Sequence, residues 1–115
     1  MGRDYKDLRI WKAAMELVTS VYNLMGEMPN EELYGLTNQI KRSAISVPSN
    51  IAEGQSRGNK EFRHFLRITL GSLAELETQI MIASNLNMVE EERTQPIIED
   101  ITRLRKQTYS LLKKI

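Results

Sequence analysis

Side chains able to do chemistry are concentrated between Gln39 and Leu66, in the run QIKRSAISVPSNIAEGQSRGNKEFRHFL. Wound as an α-helix at 100° per residue, Gln39, Arg42, Ser46, Asn50 and Glu53 form one band of hydrogen-bonding groups. Ser43, Ser46, Ser49 and Asn50 are short, whereas a solvated face ordinarily carries Lys and Glu. The band has three readings. It is a solvated face, a packed polar interface whose short groups also satisfy carbonyls freed by Pro48, or a groove for a ligand or nucleic acid. A second group is basic. Lys60, Arg63 and Arg67 fall on successive turns of one face, with Arg57 before them and Lys41 and Arg42 upstream. These six are the candidate nucleic-acid-binding residues, since clustered Lys and Arg suit phosphate. Glu53 and Glu61 lie close enough in sequence to neutralise them instead.

Catalytic constellations are not assembled. His64 is the one histidine and there is no cysteine, which removes thiolate nucleophiles, disulfides and thiolate metal sites. A Glu-x-x-His pattern occurs once, at Glu61 and His64, where a di-iron bundle uses two such motifs and two further glutamates. Gly54 and Gly58 are not followed by the Gly-Lys-Ser/Thr of a phosphate loop. Glu75 and Glu77 are two residues apart and do not share a helix face. The expectation is a protein that is not an enzyme, with no catalytic residue, metal or cofactor, and His64 at the surface. Phe62 and Phe65 fall on the apolar side of their helix, so platforms for stacking single-stranded bases are lacking.

Four helices must position these groups, at about residues 8–25, 31–54, 59–86 and 90–114 of one domain spanning 1–115. Each follows the i, i+3, i+4, i+7 recurrence of apolar residues. In the first, Trp11, Ala14, Met15, Val18, Tyr22 and Met25 share a face, with Ile10, Leu17 and Leu24 on an adjacent one. Together they cover about half the circumference, wider than the ~100° stripe of a surface helix. Leu33, Leu36, Ile40, Ala44, Val47 and Ile51 mark the second helix, beginning near Asn30 or Glu31 and kinked at Pro48. The third buries Phe62, Phe65, Leu66, Thr69, Leu73, Leu76, Ile80 and Ala83, and Asn85 or Asn87 ends it in the left-handed conformation. The fourth buries Ile97, Ile101, Leu104, Thr108, Leu111, Leu112 and Ile115, with a bend at Pro96. No period-2 run or hairpin signal occurs. The chain reads as all-α, an antiparallel up-down-up-down four-helix bundle.

The outer side of the third helix is unusual. Beyond Lys60, Arg63 and Arg67 it turns small, with Gly71, Ala74 and Thr78 flanked by Met81. Glycine inside a helix costs about 1 kcal/mol relative to alanine, and close packing of another helix would offset that. Gly71, Ala74 and Thr78, with Gln39, Ser46, Asn50 and Glu53, are therefore the candidate polar packing or subunit-interface residues of a homo-oligomer.

The 115 residues carry a net charge of +1. Residues 1–30 hold four basic and four acidic groups, 31–58 three and three, 59–86 three and three, and 87–115 six and five. No segment is a basic arm, so any basic surface has to be assembled from several elements. No apolar run approaches the ~20 residues of a membrane span. The N-terminus lacks the apolar region of a signal peptide, and Gly2 lacks the Ser or Thr that myristoylation wants at position 6, which is Lys6. The expectation is a cytoplasmic protein with no membrane partner.

Three segments carry a resemblance: DLRIWKAAMELV, LYGLTNQIKRSAISVPSNIAEGQSR and KEFRHFLRITLGSLAELETQI. With them the chain resembles the bacterial four-helix-bundle family named for proteins encoded in intervening sequences of 23S ribosomal RNA genes. SVPSNIAEG and GSLAELETQ are the specific parts, and the fourth helix diverges most. The resemblance implies an antiparallel bundle that assembles as a cyclic pentamer. A related branch, the accessory proteins of diversity-generating retroelements, is basic and binds nucleic acid and a reverse transcriptase. The net charge of +1 departs from that branch and implies at most weak binding of RNA or DNA. Gln39, Arg42, Ser46, Pro48, Asn50, Glu53, Gly54, Arg57, Phe62, Gly71, Ser72, Glu75 and Glu77 match the family's pattern by position.

Overall fold

Helical periodicity in the sequence becomes four helices: α1 (Arg9–Met25), α2 (Leu36–Gln55), α3 (Asn59–Asn85) and α4 (Glu91–Lys114). They are seen in a computed structural model that describes residues 4–115, so Gly2 lies outside the described residues. No strand occurs among the described residues.

The turns follow from local chemistry. Asn87 adopts a left-handed φ of 60°, and the Met88 and Asn87 amides donate to the carbonyls of Ala83 and Ser84 at 2.9 and 3.0 Å. This pair of bonds satisfies the last carbonyls of α3 and turns the chain sharply. Gly58, with φ 96°, turns the chain between α2 and α3 where a side chain would be strained, and its carbonyl accepts the Phe62 amide at 2.8 Å as α3 begins. The start of α2 differs from the expectation. Residues Asn30–Glu32 form a single 3-10 turn, and α2 begins only at Leu36. Gly35 has non-helical dihedrals (φ −109°, ψ −113°), and the Glu32 carboxylate caps the new helix by accepting the Leu36 amide at 3.2 Å. Leu33, expected in the core, is consequently 50% exposed.

α1 packs on α2 and α4, and α3 on the same two, while α1 and α3 lie on a diagonal. Cross-helix contacts fix the directions. Ser43 meets Gln79 while Gly54 meets Phe65, so α2 and α3 run antiparallel. Arg105 meets Glu77 while Arg63 meets Ile115, so α3 and α4 do as well. Leu17, Leu24, Ile40, Ile51, Leu66, Leu73, Leu76, Ile80, Ile101 and Leu104 fill the centre.

The wide apolar face of α1 is divided rather than wholly buried. Ile10, Ala14, Leu17, Val21 and Leu24 point inward, whereas Met15 and Tyr22 are 45% and 40% exposed. An antiparallel bundle can cover only one sector of each helix, and the sector centred on Leu17 is the one it covers. Proline does not end either helix that contains it. α2 stays α-helical through the buried Pro48. Around it the Ser46 hydroxyl donates to the Ser43 carbonyl at 2.7 Å, and the Asn50 amide to the Ser46 carbonyl at 2.8 Å. Pro96 is exposed in the second turn of α4, which is also continuous.

Candidate interaction surfaces

The polar band of α2 lies along its seam with α3. Gln39, Arg42, Ser43 and Ser46 face Ser72, Glu75 and Gln79 across an open groove of about 390 Å³. The Ser43 hydroxyl donates to Gln79 Oε1 at 2.9 Å, tying the two helices together. Ser46 and Asn50 are half-buried and turned onto carbonyls of their own helix. Gln39, Arg42 and Glu53 remain exposed. The band is thus part turned onto its own helix, at the Ser43 and Ser46 carbonyls and not the Ala44 carbonyl that Pro48 frees. The other part is solvated, with one interhelical bond beside it.

The basic candidates are dispersed. Lys41 sits on the α1 side, its ammonium 4.9 Å from the Tyr22 ring centre, while Arg42 borders the α2–α3 groove. Arg57 pairs with Glu53 at 2.5 Å and stacks over Phe65 at 5.4 Å. Lys60 is exposed in the first turn of α3. Arg63 and Arg67 turn towards α4, where with Leu70, Tyr109, Leu112 and Lys113 they line a cleft of about 550 Å³. Arg63 there donates to the Ile115 carbonyl. Tyr109, 51% exposed, is an aromatic side chain of this cleft that the sequence did not connect with Arg63 and Arg67, because those arginines are on another helix. Phe62 is buried, as its place on the apolar face requires.

Antiparallel packing sorts charge along the 47 Å long axis. The half built from residues 4–16, 46–72 and 103–115 holds twelve Lys and Arg against five Asp and Glu among the described residues. The other half, residues 17–45 and 73–102, holds three basic and ten acidic groups. A chain nearly neutral in every quarter is therefore strongly dipolar in space.

Along the sides of the bundle, two apolar strips stay uncovered among the described residues. One follows α1 and α2 through Met15, Tyr22 and Ile45, each 40–45% exposed. The other lies on the outer side of α3, where Ile68, Met81 and Ile82 are 39–51% exposed around Gly71, Ala74 and Thr78. A Cβ placed on Gly71 would meet nothing within 4 Å, so nothing inside the protomer requires glycine there.

His64 is exposed and edge-on to Phe65, with ring centres 5.6 Å apart. Glu75 faces α2 across the groove, whereas Glu77 faces α4 and accepts from Arg105 at 3.0 Å. No three His, Cys, Asp or Glu side chains gather into a metal-holding group among the described residues. No helix among them is long and apolar enough to cross a membrane.

Comparison with known proteins yields a family match and similar solved structures. The profile of the 23S rRNA-intervening sequence protein family matches residues 6–110. A crystal structure of a protein with unknown function from the S23 ribosomal protein family of Bacteroides thetaiotaomicron superposes with a TM-score of 0.82 at 24% identity. The match covers 90% of this chain and 98% of that one, and establishes a shared fold. No curated protein matches the chain.

Proposed function

The chain belongs to the 23S rRNA-intervening sequence protein family, and we propose that it acts as a non-enzymatic, self-assembling interaction module. The observation that carries this reading is the pair of different apolar strips, Met15–Tyr22–Ile45 on α1 and α2 and Gly71–Ala74–Thr78–Met81 on α3. Because α1 and α3 lie diagonally across the bundle, the strips point away from one another. One strip of a copy meets the other strip of its neighbour. Such head-to-tail contacts generate a ring when the rotation closes, and the family resemblance favours five copies. Gly71 gives a neighbouring helix close approach, which offsets its helix-propensity cost.

Light scattering tests the ring through two variants, Met15→Glu on one strip and Ala74→Arg on the other. Each retains one intact strip, so each alone is expected to be monomeric and their mixture to stop at a heterodimer. A wild-type monomer at micromolar concentration overturns the reading, as does full assembly by either variant.

A second reading, nucleic-acid binding beside an RNA or a reverse transcriptase, is favoured by the basic half and by Tyr109 next to Arg63, Arg67 and Lys113. Its binding would fall with salt as phosphate counterions are released. It would also weaken in an Arg63→Ala, Arg67→Ala double variant. Absence of any RNA or DNA binding at about 50 mM salt, where phosphate contacts are strongest, removes it.

A further inference from the structure

We infer that the acidic end of the bundle docks onto the basic end of a second copy of this chain. The two ends are built from different turns. One carries the α1–α2 and α3–α4 connections and the start of α4, with Glu31, Glu90, Glu91 and Glu92 exposed or half-exposed there. Arg93 is the one basic group in these turns, and it is occupied within the protomer by Glu27. The opposite end carries the start of α1, the α2–α3 turn and the close of α4. Arg9, Lys60, Lys113 and Lys114 are exposed on it and make no ion pair among the described residues. Arg57, by contrast, is already paired with Glu53.

Charge complementarity selects the occupant. A polyanion would account for the basic end and leave the carboxylates unexplained, whereas a second copy satisfies both ends at once. A net charge of +1 leaves little overall repulsion between copies. The end face measures only about 24 × 19 Å, smaller than the ~800 Å² per partner of a standard stable interface. The contact is consequently weak, fast and salt-labile. It joins unlike surfaces along the long axis, so it extends an open row instead of closing a ring. It uses the ends of the bundle and not its sides, and so stands whether or not the protein forms a ring.

Weight-average mass of the full chain, measured by sedimentation equilibrium at about 50 mM and about 500 mM NaCl, tests the proposal, because the lower salt leaves end charges far less screened. The mass is expected to rise at least twofold at low salt, in multiples of whatever unit persists at high salt. Two charge-reversed proteins follow. One carries Glu90→Lys, Glu91→Lys and Glu92→Lys, the other Lys60→Glu, Lys113→Glu and Lys114→Glu. Each alone is expected to lose the salt-sensitive rise, and an equimolar mixture to regain it, because the reversed ends are again complementary. Helix content by circular dichroism confirms that the compared proteins are folded. Should either triple variant not fold, Glu91→Lys and Lys113→Glu replace them. A wild-type mass independent of salt overturns the proposal, including the case where the basic end binds an oligonucleotide instead. A folded pair of variants that does not recover association on mixing overturns it as well.

Discussion

Gly54 lies so close to Phe65 across the α2–α3 seam that a Cβ on the glycine would stand 2.5 Å from the Phe65 Cβ and 3.3 Å from a ring carbon of Phe62. Gly54 is buried and helical, so its lack of a side chain serves backbone approach and not conformational freedom. The helices meet closely just before the turn that reverses the chain.

Gly54→Ala is therefore expected to destabilise the protein. Alanine would gain about 1 kcal/mol in helix propensity, but overpacking against a fixed backbone costs about 1–3 kcal/mol and here involves a Cβ that cannot rotate away. The urea midpoint should fall. A midpoint that rises would mean that α3 shifts freely against α2.

Gly71→Ala should behave in the opposite way on the isolated protomer. With open space around that position, alanine is expected to stabilise the fold by about 0.5–1 kcal/mol. If Gly71 provides close approach between copies, the same change lowers the assembled mass. Denaturation at low concentration and light scattering at high concentration separate the two effects.

Ser43→Ala removes the hydroxyl that donates to Gln79 Oε1 at 2.9 Å. Ser43 is 6% exposed, so the lost bond is expected to cost about 0.5–1.5 kcal/mol. A double-mutant cycle with Gln79→Ala should show coupling of similar size. Additive effects would show that the bond contributes nothing net.

Glu27, in the connection after α1, reaches the N-terminus of the bundle's fourth helix. Its carboxylate pairs with Arg93 and accepts the Glu90 amide at 3.4 Å, at the start of a helix whose own N-cap residue makes no side-chain cap. Glu27→Ala is expected to cost about 1 kcal/mol, combining a partly exposed ion pair with loss of a cap. Hydrogen exchange should quicken first in residues 91–95, since fraying begins at an uncapped terminus.

Much of the architecture was legible because it is local. Apolar residues recurring at 3 and 4 positions produced four helices, and Asn87 was among two asparagines expected to end α3 by a left-handed turn. The late start of α2 was not legible. It depends on Gly35 leaving helical geometry and on Glu32 capping Leu36, a competition that propensity alone does not resolve. Nor could the sequence divide the broad apolar face of α1, since Leu17 and Tyr22 are equally at home in a core.

The candidate surfaces were decided almost entirely by tertiary structure. Sequence placed Arg63 and Arg67 on one face, but only packing against α4 set Tyr109 and Lys113 beside them. It placed the polar band on one side of α2, but only the identity of the neighbouring helix made that side a groove with Glu75 and Gln79. Charge shows the difference most clearly. Counted along the chain, every quarter is nearly neutral, which fixes the net charge and nothing about its direction. Antiparallel folding lays the starts of α1 and α3 beside the ends of α2 and α4, bringing together basic groups that are distant in sequence and leaving the carboxylates at the opposite end. Periodicity is a property of neighbours in the chain, whereas a field is a property of neighbours in space.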